Sequence, residues 1–150
     1  MITPGAQEIL ASVVAAVERE IAPVVAHYEY AASLCRTVAQ MLRHVSVRVE
    51  QEVPALTADN AELRALLEAF ADQDRLATVV GALPPAPVAR FATRDDLVEE
   101  ATALRHRLVA VIEATPDEQS PVRQACQGYL GNQLRRQLPW QQDAYTGPRR

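Results

Sequence analysis

The sequence predicts an all-α protein, built as an antiparallel bundle of four to five helices. Hydrophobic residues make up 49% of the chain but aromatic residues only 5%, so alanine, leucine and valine supply most of the apolar bulk. Glycine is scarce, with 5 residues in 150, whereas alanine and leucine are strong helix formers. Apolar residues recur at steps of three and four, the period of an α-helix. A chain of this length can bury a core without disulfides.

Two apolar stripes in the first third of the chain predict the first two helices. We expect the first helix to begin at Thr3, a good N-cap followed by Pro4, and to end or kink at Pro23. The second stripe is a heptad seam that favours shallow packing against another helix, and Pro54 is expected to close its helix. The stripes consist of Ile9, Leu10, Val13, Val14, Val17 and Ile21, and of Tyr28, Ala31, Cys35, Val38, Leu42, Val45 and Val49.

The middle of the chain predicts a third helix followed by a stiff connection. Thr57 is the candidate cap, and the helix should end at Gly81, before the Leu-Pro-Pro-Ala-Pro segment 83–87. Neither side of this segment has enough helices to cover its own apolar faces. We therefore expect one domain over residues 1–138, followed by a polar tail over residues 139–150. The buried stripe of the third helix is Leu63, Leu66, Leu67 and Phe70.

The last two helices are predicted from their caps and apolar stripes. Thr93 and Asp96 have the spacing of a capping box. The final helix begins either at Thr115-Pro116 or at Ser120-Pro121, and Pro139 is expected to stop it. The fourth stripe is Leu97, Ala101, Leu104, Leu108, Val111 and Ile112, and the fifth is Val122, Cys126, Tyr129, Leu130, Leu134 and Leu138. Two glycines in the final helix, Gly128 and Gly131, are candidate points of close backbone approach.

Charge and composition exclude several classes of function. The net charge of −4 argues against non-specific nucleic-acid binding, which needs a basic face. All 15 basic residues are arginine, so chemistry that requires a lysine amine, such as a Schiff base or a P-loop, is excluded. The sequence has neither a signal-peptide pattern nor an apolar stretch of membrane-spanning length. We therefore expect a cytoplasmic protein that binds neither nucleic acid nor membrane.

No cluster of residues predicts catalysis, a metal site or a cofactor. None of the three histidines has a glutamate three residues before it, as di-iron bundles require. Glu99 and His106 can share a helical face, which is most simply a solvated face. The polar residues of segment 27–30, His-Tyr-Glu-Tyr, point to different sides of a helix. Cys35 and Cys126 fall on apolar stripes, where burial disfavours the thiolate.

The C-terminal tail supplies candidate residues for binding a protein partner. Trp140 follows Pro139 in a polar segment, and it either folds back to cap the end of the bundle or serves as a docking arm. Tryptophan, tyrosine and arginine are the usual anchors of protein interfaces. On this basis the candidate partner-binding residues are Trp140, Tyr145, Tyr30, Arg135 and Arg136.

Segment 8–23 combines an apolar pair, an acidic run and a proline, and segment 30–50 continues with small residues and valine before ending in arginine and glutamate. Together these segments resemble a family of small all-helical proteins of unknown domain function. Members typically lie beside aminoglycoside-phosphotransferase-like kinases and acyl-CoA dehydrogenases. The resemblance implies an accessory partner of such a kinase, in catabolism of hydroxyacyl-CoA or related acids. The family ends in an Asn-Pro-x-Tyr-like segment, where this chain has Leu138-Pro139-Trp140.

The leading hypothesis is therefore a non-catalytic accessory subunit that binds and supports a partner enzyme. The alternative is a homodimeric helical bundle that binds a small apolar ligand between its helices. A third hypothesis, an enzyme, would require a cleft that joins His27, Glu29 or His106 to a second titratable group.

Overall fold

The computed structural model describes residues 4–88 and 92–143, with side chains of the second range described as far as Leu138. Throughout these ranges the regular structure is helical, so the predicted all-α class is confirmed. The chain divides into two compact units. The terminal unit comprises Met1–Glu52 with Gln137–Arg150, and the central unit comprises Val53–Arg136. The single domain expected over residues 1–138 stays a prediction.

The terminal unit opens with helix α1, Ala6–Ala16. Its N-cap is Gly5, whose N–H donates to Glu8 Oε2 at 2.7 Å, while the predicted cap Thr3 lies outside the described residues. A π-helical turn, Val17–Ile21, and the short helix α2, Ala22–Val24, follow. The wider turn accommodates Pro23, which has no N–H and whose ring crowds the preceding turn. The helix ends just after Pro23, as the sequence predicts.

Helix α3, Glu29–Ala71, runs for 43 residues, so the prediction that Pro54 closes a helix is wrong. Both Pro54 and Glu50, the residue whose carbonyl loses its donor, are exposed, and solvent can satisfy that carbonyl. The predicted cap Thr57 lies inside the helix, where its hydroxyl donates to the Val53 carbonyl at 2.9 Å. The second predicted helix and the first part of the third are therefore one helix. The predicted end of the third helix at Gly81 is wrong, because α3 ends at Ala71.

In the central unit, α3 is followed by helix α4, Asp74–Val80. Gly81, the predicted end of the third helix, instead ends the separate helix α4, and its φ of 60° lies in the region that favours glycine. The described part of the connection that follows, 81–88, has no regular structure, in agreement with the proline-rich pattern. The chain then returns to the bundle at Thr93.

Two long helices complete the central unit. Helix α5, Arg94–Ala114, begins at the predicted capping box, in which the Thr93 hydroxyl accepts from the Asp96 N–H at 3.2 Å. Helix α6, Pro121–Asp143, begins at the second of the two alternatives, and Ser120 Oγ accepts from the Arg123 N–H. Pro139 does not stop α6, so that prediction is wrong.

The core of the central unit lies between α3, α4, α5 and α6. The predicted stripes of the third and fourth helices are confirmed as core, and Cys126 and Tyr129 contribute from α6. Three side chains of the last predicted stripe, Leu130, Leu134 and Leu138, are instead exposed. Neighbouring helices cover only one side of α6, and these leucines lie beyond that side. The buried cluster is Leu63, Leu67, Phe70, Leu76, Val80, Leu104, Leu108, Val111, Cys126 and Tyr129.

The heptad seam on α3 is mostly uncovered in the terminal unit, contrary to its predicted packing. Cys35 is only half-buried, and Tyr28 is exposed. In this unit the buried hydrophobic residues are Val14 on α1 and Ala39 on α3. Because α1 is a single short helix, it covers one side of α3 and leaves most of the seam free.

Glycine substitutions test the packing of α6. A Cβ built at Gly128 or Gly131 meets nothing within 4 Å, so these glycines do not mark a close backbone approach. We expect Gly128→Ala and Gly131→Ala each to raise the free energy of unfolding by about 1 kcal/mol, because alanine is the better helix former. Gly81→Ala should lower it by about 1–3 kcal/mol, because of its positive φ. Urea unfolding measures all three, and destabilisation by the α6 variants would reveal a hidden contact.

Candidate functional site

A buried polar cluster fastens α5 to α3 in the central unit. Glu100 is 7% exposed and forms a salt bridge with Arg64. Asn60 Nδ2 donates to Glu100 Oε2 and to the Leu97 carbonyl, each at 2.9 Å. Arg64 also donates to the Pro84 carbonyl at 2.8 Å, which ties the connecting segment to the bundle. The carboxylate is therefore fully paired, as a buried charge must be.

A second polar cluster fastens α6 to α3. The Arg136 guanidinium bridges the carboxylates of Asp59 and Glu62, and Asn132 Nδ2 also donates to Glu62. Burial would raise the pKa of the Glu62 carboxyl, but hydrogen bonds from Asn132 and Arg136 and the charge of Arg136 bring it below its ordinary value of 4.5. The same carboxylates raise the pKa of Arg136. Arg136, a candidate partner-binding residue, thus has its charge neutralised within the unit.

Sequence reasoning missed both clusters, although a signal for them exists. Asp59 and Asn60 lie on α3 one turn before Leu63, so they extend the apolar stripe with polar residues. Both are buried, each with 4% exposure. A polar residue on a buried stripe requires a partner from another helix. The distance along the chain, 77 residues from Asp59 to Arg136, hides that partner from local pattern reading.

The described titratable groups do not converge into a reactive centre. His27 and Glu29 are exposed on the terminal unit, and His106 is exposed on α5 in the central unit. Burial raises the pKa of the Cys126 thiol and of the Tyr129 hydroxyl, which favours their neutral forms. Within residues 4–88 and 92–143, no three histidine, cysteine or acidic side chains are placed to hold a metal ion.

The central unit exposes an apolar surface on α6. A hollow of about 230 Å³ lies between α5 and α6, and Leu134, 62% exposed, stands one turn beyond it on α6. The Arg123 guanidinium donates to the Ile112 carbonyl at 3.1 Å, so this cation at the hollow is partly satisfied. We call the hollow with Leu134 the α6 surface. The hollow is lined by Ile112, Arg123, Cys126, Gln127 and Leu130.

Only some of the candidate partner-binding residues lie within the described part of the chain. Tyr30 is 82% exposed at the start of α3, and Arg135 is exposed on α6, where it donates to Asn132 Oδ1. The Trp140 side chain and Tyr145 lie outside the described residues. Their role in binding a partner stays a prediction.

A separate cleft of about 220 Å³ lies between α3, the connecting segment and α5. It borders the Asn60–Arg64–Glu100 cluster, with Val53 and Leu97 among its apolar walls. Sites for small organic ligands usually enclose roughly 300–1,000 Å³. The cleft is smaller than this range, and its polar groups already bond one another.

Comparison with known protein families, with curated proteins and with solved structures finds no match to this chain. Among the described helices, none is long and apolar enough to cross a membrane.

Removing a buried carboxylate tests the first polar cluster. We expect Glu100→Ala to lower the free energy of unfolding by about 3 kcal/mol, because Arg64 and Asn60 lose their buried partner. Glu99→Ala, at the exposed neighbouring position, is the matched control and should change stability little. Chemical denaturation measures both variants. Equal effects would mean that Glu100 is not a structural anchor.

The lowered pKa of Glu62 predicts a contribution to stability that depends on pH. This contribution is fully present above the ordinary pKa of 4.5 and is lost as the pH falls through the lower pKa of the folded state. Glu62→Gln should therefore lose stability at neutral pH and show a shallower decline in acid than the unmodified chain. Thermal unfolding across this range measures it, with Glu99→Gln as control. An unchanged acid slope in Glu62→Gln would contradict the assignment.

Proposed function

We propose that this chain is a non-catalytic accessory subunit that binds a partner enzyme. The observation that carries the proposal is the α6 surface. Its leucines lie on a stripe that the helical periodicity assigns to a core, but they are exposed to solvent. Apolar side chains around a hollow are typical of sites where another protein inserts an anchor residue. Such a surface binds by burial of apolar area and needs no reactive group.

The charge arrangement supports a binding role over catalysis. In the central unit, Arg64 and Arg136 are committed to buried carboxylates. Catalytic centres, by contrast, usually hold titratable groups within reach of each other in a cleft. His27 and His106 lie apart on exposed faces, and His44 is half-buried on α3, where its Nδ1 has no hydrogen-bond partner among the described residues. The pairing of these arginines and the separation of the histidines favour a scaffold that binds its partner through apolar contacts.

For the identity of the partner, the support is the resemblance of segments 8–23 and 30–50. It makes an aminoglycoside-phosphotransferase-like kinase the first partner to test and an acyl-CoA dehydrogenase the second. The shared setting would be cytoplasmic catabolism of hydroxyacyl-CoA or related acids. By binding one conformation of the enzyme more tightly than another, the subunit would shift the enzyme's population toward it.

Affinity measurement with an aminoglycoside-phosphotransferase-like kinase tests the proposal. We expect Leu134→Glu to weaken binding at least ten-fold, about 1.4 kcal/mol, because a charge replaces an apolar contact. Gln124→Glu, exposed on another side of α6, carries the same charge and should bind as the unmodified chain does. Circular dichroism checks that both variants stay helical. Equal affinity of the two variants would remove the α6 surface from the interface.

A tail variant in the same assay separates the two interpretations of Trp140. As a docking residue, Trp140→Ala should weaken binding by more than about 1 kcal/mol and leave the unfolding curve unchanged. Loss of stability together with binding would instead make Trp140 part of the core. If neither the kinase nor the dehydrogenase binds the unmodified chain, the proposed partner classes are wrong.

The alternative function, a dimer that binds a small apolar ligand, depends on a cavity between helices. The cleft beside Asn60 is the candidate in the central unit, but its volume of about 220 Å³ and its paired polar groups do not favour a ligand. The geometry therefore supports the accessory role better.

A further inference from the structure

The terminal unit carries a long apolar stripe on α3 that the other described residues leave about half exposed. Its side chains range from 37% exposed at Val38 to 64% at Met41. Every residue of the stripe is uncharged. We define the α3 stripe as Leu34, Val38, Met41, Val45 and Val49.

We propose that the α3 stripe is the interface of a homodimer, in which α3 of a second copy packs antiparallel against it. When the half-buried Leu42 is included with the stripe, the spacing of these residues along the helix is symmetric: the steps between them are the same from either end. An antiparallel two-fold axis near Met41 places Leu34 opposite Val49 and Val38 opposite Val45. Such self-complementarity is what a two-fold interface requires. The steps of three and four are those of helices that pack at a shallow angle.

The area of the stripe agrees with that of a stable dimer. Five side chains that are about half exposed amount to roughly 400 Å², as large as the largest apolar patch on a typical monomer. Since about 57% of an interface is apolar, this patch corresponds to roughly 700 Å² per partner. A standard interface buries about 800 Å² per partner. Ile9 and Val13 on α1 add exposed apolar area in the same unit.

Charge also favours a second copy in the antiparallel direction. Arg43 pairs with Glu18 at 2.6 Å and Arg48 pairs with Glu52 at 2.7 Å, so these arginines have partners within their own chain. In the dimer, the uncharged α3 stripe of one copy contacts the uncharged α3 stripe of the other, so the interface buries no unpaired charge. A parallel arrangement would place each Glu52 beside its own copy, whereas the antiparallel one moves this carboxylate toward Ala31 of the other chain.

The first test is the mass of the full chain in solution. Sedimentation equilibrium should give twice the 16.5 kDa of the chain at high concentration and dissociation on dilution. Met41→Glu should raise the dimer dissociation constant at least ten-fold, because it brings like charges together near the two-fold axis. Ser33→Glu, exposed on another side of α3, should dimerise normally. A monomer at every concentration, or an unaffected Met41→Glu dimer, would overturn the proposal.

Cross-linking decides the direction and does not depend on charged variants. In a Cys35→Ser background, a mixture of Leu34→Cys and Val49→Cys chains should form a disulfide-linked pair on oxidation, while either variant alone should not. Self-linking by Leu34→Cys would overturn the antiparallel arrangement. The dimer uses α3 and the enzyme contact uses α6, so a Met41→Glu monomer that still binds the kinase refutes neither proposal. A chain that never dimerises but binds the kinase through the α6 surface refutes the dimer alone.

Discussion

Burying a carboxylate against a neighbouring helix is the constraint on which the central unit depends. Glu100 and Asp59 lie where water hardly reaches, and an unpaired charge there would cost several kcal/mol. Arg64 and Arg136 supply the counter-charges and, in doing so, fix which helices lie against α3. The hydrophobic cluster determines how much apolar surface area the helices bury. The ion pairs determine the register, that is, which residues of α5 and α6 lie opposite which residues of α3.

This pairing also shapes what the surface can do. An arginine that balances a buried carboxylate is not free to bind a phosphate or a second acid, so Arg64 and Arg136 serve the fold. Apolar side chains such as Leu134 remain outside the core and are exposed. Because apolar contact is non-directional, such surfaces suit association with another protein.

The terminal unit also exposes apolar side chains, and on α3 they form a longer stripe. A short helix cannot cover a long one, so α1 buries Ala39 and leaves Met41 and Val49 in solvent. The heptad spacing on α3 belongs to a helix that is packed along its length, and the chain offers no described element to complete that packing. A second copy of the same helix matches the stripe in spacing, area and charge.

The sequence by itself determined the all-α class, the capping box at Thr93 and the core stripes through Leu67 and Leu104, since helical period and caps are local properties. It failed at Pro54, because solvent exposure of a helix side decides whether a proline is tolerated there. Only the tertiary structure decided that Leu134 lies outside the core, since periodicity shows that this residue lies on an apolar face but cannot show whether another helix reaches it. Likewise the partner of Asp59 lies far along the chain, and only folding brings Arg136 to it.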